Sequence, residues 1–135
     1  MQFQPHGNTS VAAEGRLVVF RPESGGDAEE IARILDEIRR VLPALAGAAW
    51  GALVVLGSDN LLLTPDAEAS LRDAAPRLMA SGLRALCLCG RPPAELWIVR
   101  AQFERVFDGQ PLQFTVLAHE AEARGWLAAQ LERAG

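Results

Sequence analysis

The segment that decides the fold class is Trp50-Gly51-Ala52-Leu53-Val54-Val55-Leu56, which contains no charged side chain. A strand that is apolar on both faces is typical of the middle of a parallel sheet with layers on both sides. A turn, Ser58-Asp59-Asn60, follows it, and then Thr64-Pro65-Asp66 provides a capping residue, a proline and an acid in the order found at helix starts. The segment therefore predicts a buried strand that leads into a helix.

Strands and helices alternate outward from this strand. A helix capped by Asp27, with Glu30 expected to complete a capping box, should end at Pro43, and Pro76 should kink or interrupt the helix that starts at Thr64.

The class is α/β: one mixed sheet with a mainly parallel centre, an antiparallel N-terminal hairpin and helices packed on it, in a single domain over residues 1–135. In order β-β-α-β-α-β-α-β-α, the elements are Ser10 to Glu14, Arg16 to Arg21, Asp27 to Leu42, Trp50 to Leu56, Thr64 to Ser81, Leu83 to Cys89, about Ala94 to Phe107, Phe114 to Leu117, and Glu120 to Glu132.

Composition excludes several classes of function. The chain has 135 residues, 50% of them hydrophobic, and a net charge of −4, so it lacks the positive field that nucleic acid requires. All 13 basic residues are Arg, which excludes lysine chemistry. Cys87 and Cys89 would lie on one face of a strand and are interpreted as core residues, since no partners with metal-site spacing accompany them. No cofactor, metal site or membrane insertion is expected, and the expected location is the cytoplasm.

The middle and end of the chain resemble the SpoIIAA-like family, which has the STAS-type fold of sulfate transporters and anti-sigma-factor antagonists. The resemblance implies a non-enzymatic regulatory or ligand-binding module, mostly bacterial. It is carried by Gly51-Ala-Leu-Val-Val-Leu, Leu62-Leu63-Thr64-Pro65-Asp66-Ala67, Gly82-Leu83-Arg84-Ala85, Gln102-Phe103 with Phe107, Glu120-Ala121 with Trp126-Leu127, and the opening His6-Gly7-Asn8 and Glu14-Gly15.

The turn after the central strand is the first candidate site. In the antagonists a Ser near this place is phosphorylated, and the resemblance puts Thr64 near the acceptor's position. The Asp-Ser-Ser-Gly-Leu-Gly type of sequence around that acceptor is absent, which argues against partner switching by phosphorylation. Ser58, Asp59 and Asn60 are candidate contacts to a ligand or a partner, although a turn needs such residues for its own backbone.

The third helix is the second candidate site. Leu96, Val99, Phe103 and Val106 or Phe107 form an apolar stripe, and Trp97, Ile98 and Ala101 widen it, which predicts burial on more than one side. Either the last helix or the Pro92-Pro93 loop covers Trp97, or Trp97 anchors a partner with Arg100 or Arg105 at the edge of the interface.

Three functions follow from these patterns. The favoured one is recognition of a protein partner, or self-association as a homodimer, on a face where the segment after Leu56 lies beside the Trp97 helix. The alternative is a carrier or sensor of an apolar small molecule or lipid, held in a cavity among Phe20, Leu56, Leu62, Leu63, Trp97 and Phe103. The least favoured is a small hydrolase that uses Ser58, Asp59 and His119, since no nucleophile-elbow sequence is present.

Overall fold

The computed structural model of the chain describes residues 9–22, 26–56, 62–90 and 96–134. The elements follow the predicted order, with a short 3-10 helix, Leu42–Leu45, after the first α-helix. They are β1 Ser10–Glu14, β2 Leu17–Arg21, α1 Ala28–Val41, β3 Trp50–Val55, α2 Pro65–Ala80, β4 Leu83–Cys89, α3 Leu96–Val106, β5 Gln113–Leu117 and α4 Glu120–Ala134.

The five strands form one sheet in the order β1-β2-β3-β4-β5. β1 pairs antiparallel with β2, and the other neighbours are parallel. The chain therefore steps in one direction across the sheet. Because parallel crossovers share one hand, α1, α2 and α3 lie on the same face. The α/β class and the mixed sheet with its antiparallel hairpin are confirmed.

Each face of the sheet has its own core. Val18, Ala52 and Leu86 point toward α1, α2 and α3, and the intervening Val19, Leu53 and Cys87 point toward Leu127 of α4. This two-sided burial is the reason why β3 shows no polar alternation. Gly51 allows α4 to approach the sheet closely, since a Cβ at Gly51 would lie only 3.2 Å from Leu127 Cδ2.

The expected capping box at the start of α1 was wrong. Asp27 caps α1 by accepting a hydrogen bond from the Glu30 N–H at 2.8 Å, but the Glu30 carboxylate does not complete a capping box. It is buried and instead accepts from the Thr9 N–H at 2.8 Å and from Arg33 Nε at 2.7 Å. Burial of a carboxylate requires such partners, and these fasten the start of β1 to α1.

Pro76 does not interrupt α2, which continues from Pro65 to Ala80. A proline removes one hydrogen bond to the carbonyl four residues earlier, here that of Arg72. Pro76 and Arg72 are both exposed, so water can replace the lost partner on this side of the helix.

Candidate functional site

The starts of α1 and α2 are in contact at the carboxyl edge of the sheet, and the described part of α3 begins at the same edge. α1 begins after Asp27, α2 after Thr64, and the described part of α3 at Leu96. The Thr64 N–H donates to the Gly26 carbonyl at 2.9 Å, so the first two starts are in direct contact. In α/β sheets this edge is where ligands and partners are usually bound.

Gln102 joins α3 to the segment that precedes α2. Its Oε1 accepts from the Leu63 N–H at 2.9 Å, and its Nε2 donates to the Leu63 carbonyl at 2.8 Å. The Gln102 side chain is buried, with 9% of the residue exposed, so both of its amide hydrogen bonds form away from water. The expectation that this segment lies beside the Trp97 helix agrees with these two bonds for residues 62–64.

A second connection between α2 and α3 lies one turn further along α3. Arg105 donates from Nε and Nη2 to the two Glu68 carboxylate oxygens, at 3.0 and 2.8 Å. The Arg105 hydrogen bonds lower the pKa of the Glu68 carboxyl. Arg105 is therefore paired with an acidic side chain of the same chain.

Three large apolar side chains near the starts of α2 and α3 are exposed, and together they are called the apolar patch: Leu62, Trp97 and Ile98. Their exposed fractions are 40%, 69% and 36%. Leu96, Val99, Phe103 and Val106 are buried, as the apolar stripe predicted. Within the described residues, the expected burial of α3 on more than one side is not found at Trp97 and Ile98, which are exposed. α4, which was one candidate to cover Trp97, lies on the opposite face of the sheet.

The remaining predicted site residues have separate positions. Thr64 is exposed and its Oγ1 accepts from the Ala67 N–H at 3.2 Å, so it caps α2. Ala101 is half-buried, and Arg100 is exposed, with its Nε 3.6 Å from the Glu104 carboxylate. Ser58, Asp59 and Asn60, like Pro92 and Pro93, lie outside the described residues.

A cavity of about 60 Å³ lies in the larger core, away from the apolar patch. Of the six residues predicted to surround a cavity, Phe20 and Phe103 do so. Leu56 and Leu63 are buried outside its wall, whereas Leu62 and Trp97 are exposed. The prediction placed the cavity too close to the surface, because it assumed that Trp97 turned inward.

His119 and the acidic and thiol side chains are the groups from which a catalytic or metal site could be built. His119 is exposed just before α4, and its carbonyl accepts from the Ala123 N–H at 3.0 Å. Within residues 9–22, 26–56, 62–90 and 96–134, no group of three or more His, Cys, Asp or Glu side chains is arranged to hold a metal ion. In these same ranges, no helix combines the length and apolar character that crossing a membrane requires.

The observed roles of Gln102, Glu30 and Thr9 were not predicted from the sequence. Gln102 did give a signal, since it occupies a position of the buried stripe, three residues after Val99 and four before Val106. A polar side chain at such a position must find a partner inside the protein. Its partner is main chain distant in sequence, which a helical pattern does not reveal.

The comparisons with known proteins bear on the fold. No protein-family model matches the sequence, and no curated protein matches it. A solved structure that is similar is that of an uncharacterised protein from the DUF3478 family, with a SpoIIAA-like fold, from Shewanella loihica PV-4. The match covers 94% of this chain and 98% of that chain, with a TM-score of 0.63 and 14% sequence identity. The chain therefore has a SpoIIAA-like fold, as its sequence resemblance implied.

Proposed function

We propose that this protein is a non-catalytic regulatory module that binds a protein partner through the apolar patch of Leu62, Trp97 and Ile98. The observation that carries the proposal is the exposure of Trp97, at 69%, on a helix that is otherwise well anchored. Clusters of large exposed apolar side chains mark interaction sites. Trp is strongly enriched among the interface residues that contribute most of the binding energy.

Burial of the patch can contribute as much binding energy as a dominant residue of a protein interface. A buried Trp removes roughly 150–250 Å² from water, at about 25 cal/mol per Å². Covering the exposed part of Trp97 therefore contributes about 3 kcal/mol, and Leu62 and Ile98 add to it. Side chains that contribute about 2 kcal/mol or more are those that decide an interface.

The patch is held in place before any partner arrives. Val99, Phe103 and Val106 anchor α3 in the core, and Gln102 fixes the main chain next to Leu62. Ile98 lies one helical turn before Gln102, so the two segments that carry the patch are joined by that side chain. A surface that is already ordered loses less conformational entropy on binding, which increases affinity.

Charged groups lie beside the patch on α3. Arg100 is exposed and its contact with Glu104 is long, at 3.6 Å between side chains that are both more than half exposed. Such an exposed pair contributes little to stability, so Arg100 can turn to an acidic group of a partner at small cost. Arg105, held by Glu68, is proposed to stabilise the patch rather than to contact the partner.

Site-specific photo-crosslinking in the source cells tests this function. A photoreactive amino acid at Ile98 should give a discrete adduct with a protein partner, and the same substitution at Ala128 should not. Ala128 is the matched control because it is exposed on α4, on the other face of the sheet. An adduct of two copies of this 14.5 kDa chain would assign the patch to self-association. Equal adducts at both positions, or none at Ile98, would contradict the proposal.

A further inference from the structure

We propose that the cavity in the larger core is a binding site for a small, compact apolar molecule. It lies between the sheet and the crossover helices, beneath Ala52 of β3 and Leu86 of β4. Ile34 of α1, Leu78 of α2 and Phe103 of α3 line it on the helix side. This site is separate from the apolar patch, whose three residues do not line it.

The wall of the cavity selects against water. The surface it presents is apolar, and its lining residues are themselves buried. Thr9 is the lining residue with a hydroxyl, and within the described residues Thr9 Oγ1 has no hydrogen-bond partner. An ordered water needs two to four polar partners, and one hydroxyl cannot supply them. Apolar cavities of this kind stay dry and accept apolar molecules.

The volume limits the size of the guest. A cavity of roughly 150 Å³ accommodates benzene, with six carbon atoms. By proportion, the 60 Å³ available here accommodates about two or three heavy atoms. An acyl chain is too large, so the lipid alternative is replaced by a small apolar molecule. For ligands of this size the dissociation constant is at best on the order of 1 mM.

Xenon is a suitable probe, because it is a single apolar atom that enters dry cavities. Methyl NMR under increasing xenon pressure should show saturable shifts at lining residues such as Ile34 and Val54. Val19 and Leu127, in the core on the other face of the sheet, are internal controls that should not respond. Saturation separates occupancy of a site from the linear effect of dissolved gas.

Two variants that fill the cavity complete the test. At lining positions, Ala52→Val adds two carbon atoms and Val54→Ile adds one, and either should weaken the xenon response at Ile34 about ten-fold. Two positions are used so that one ill-folded variant does not end the experiment. A response that is linear in pressure, equal on both faces of the sheet, or unchanged in a folded filled variant would overturn the proposal.

Discussion

Gln102 binds both main-chain polar atoms of Leu63, accepting from its N–H and donating to its carbonyl. The pair resembles one rung of a β-ladder in which a side-chain amide replaces the second strand. It places Leu62 next to α3, so the apolar patch depends on it.

Replacing Gln102 should therefore destabilise the protein, even when the new side chain has a similar size. In Gln102→Leu, the Leu63 N–H and carbonyl lose their partners in a buried place, each at about 1–3 kcal/mol. We expect urea denaturation to show a loss of about 2–4 kcal/mol in the free energy of unfolding. Glu104→Gln, exposed on the same helix, is the control and should change it by less than about 0.5 kcal/mol. An unfolding midpoint for Gln102→Leu within error of the wild type would show that the pair does not stabilise the fold.

Arg33 neutralises the buried Glu30 carboxylate, and its removal should destabilise the protein strongly. Glu30 is 2% exposed, and Arg33 Nε lies 2.7 Å from its Oε1. The hydrogen bonds that Arg33 donates to the Glu30 carboxylate also raise the pKa of Arg33. Loss of one partner of a buried pair costs about 3–5 kcal/mol, so Arg33→Met should lower the melting temperature markedly. Arg40 pairs with Glu37, but the Arg40 side chain is exposed, so Arg40→Met should lower the melting temperature only slightly. Equal effects of the two substitutions would contradict this account.

Thr64 is predicted to act as a helix cap. Its hydroxyl accepts from the Ala67 N–H, so Thr64→Ala should destabilise the protein by about 1 kcal/mol, and Thr64→Ser should be close to neutral. Both are measured by thermal unfolding. The intact mass of the native protein should carry no added phosphate. A phosphate at Thr64, together with altered partner binding by an acidic substitution there, would show that the residue is a modification site.

The buried thiols should make the folded protein less stable at alkaline pH. Burial raises the pKa of Cys87 from an ordinary value of 9.0 to about 11, and it also raises the pKa of Cys89. The folded state holds the proton of Cys87 more tightly than the unfolded state does. The contribution of Cys87 to stability is therefore unchanged below about pH 9 and falls as the pH rises toward 11, by about 2 kcal/mol.

The measurement is the free energy of unfolding between pH 7.5 and 11, with Cys87→Ala as the control. The variant should lose a large part of the alkaline slope. In addition, both thiols should react slowly with a disulfide reagent at pH 8 until the protein is unfolded, because only the thiolate reacts. Fast reaction in the native state would contradict the burial of both side chains.

Local patterns in the sequence predicted the fold well. Trp50–Val55 has the continuous apolar composition of a central strand, and the hairpin, the caps at Asp27 and Thr64, and β4 all have short-range signals. Each of these signals acts over a few residues, so it is visible without tertiary structure. The end of α1 near Pro43 could be predicted for the same reason.

The candidate site was only partly predictable, because its contacts join distant parts of the chain. The stripe on α3 was correct, but its pattern could not decide whether Trp97 is covered, since that depends on where α4 packs. The roles of Gln102 and Glu30 were missed for a similar reason. Their partners, Leu63 and Thr9, are main-chain groups 39 and 21 residues away in sequence.

The most direct test of the proposed recognition surface is the affinity of the cross-linked partner for Trp97→Ala, measured by titration calorimetry with the purified proteins. Because Trp97 is exposed, the variant should unfold at nearly the wild-type denaturant concentration, yet bind the partner at least about 30-fold more weakly, which corresponds to about 2 kcal/mol. An affinity within two-fold of the wild type, in a variant that is equally stable, would show that the patch is not the recognition surface.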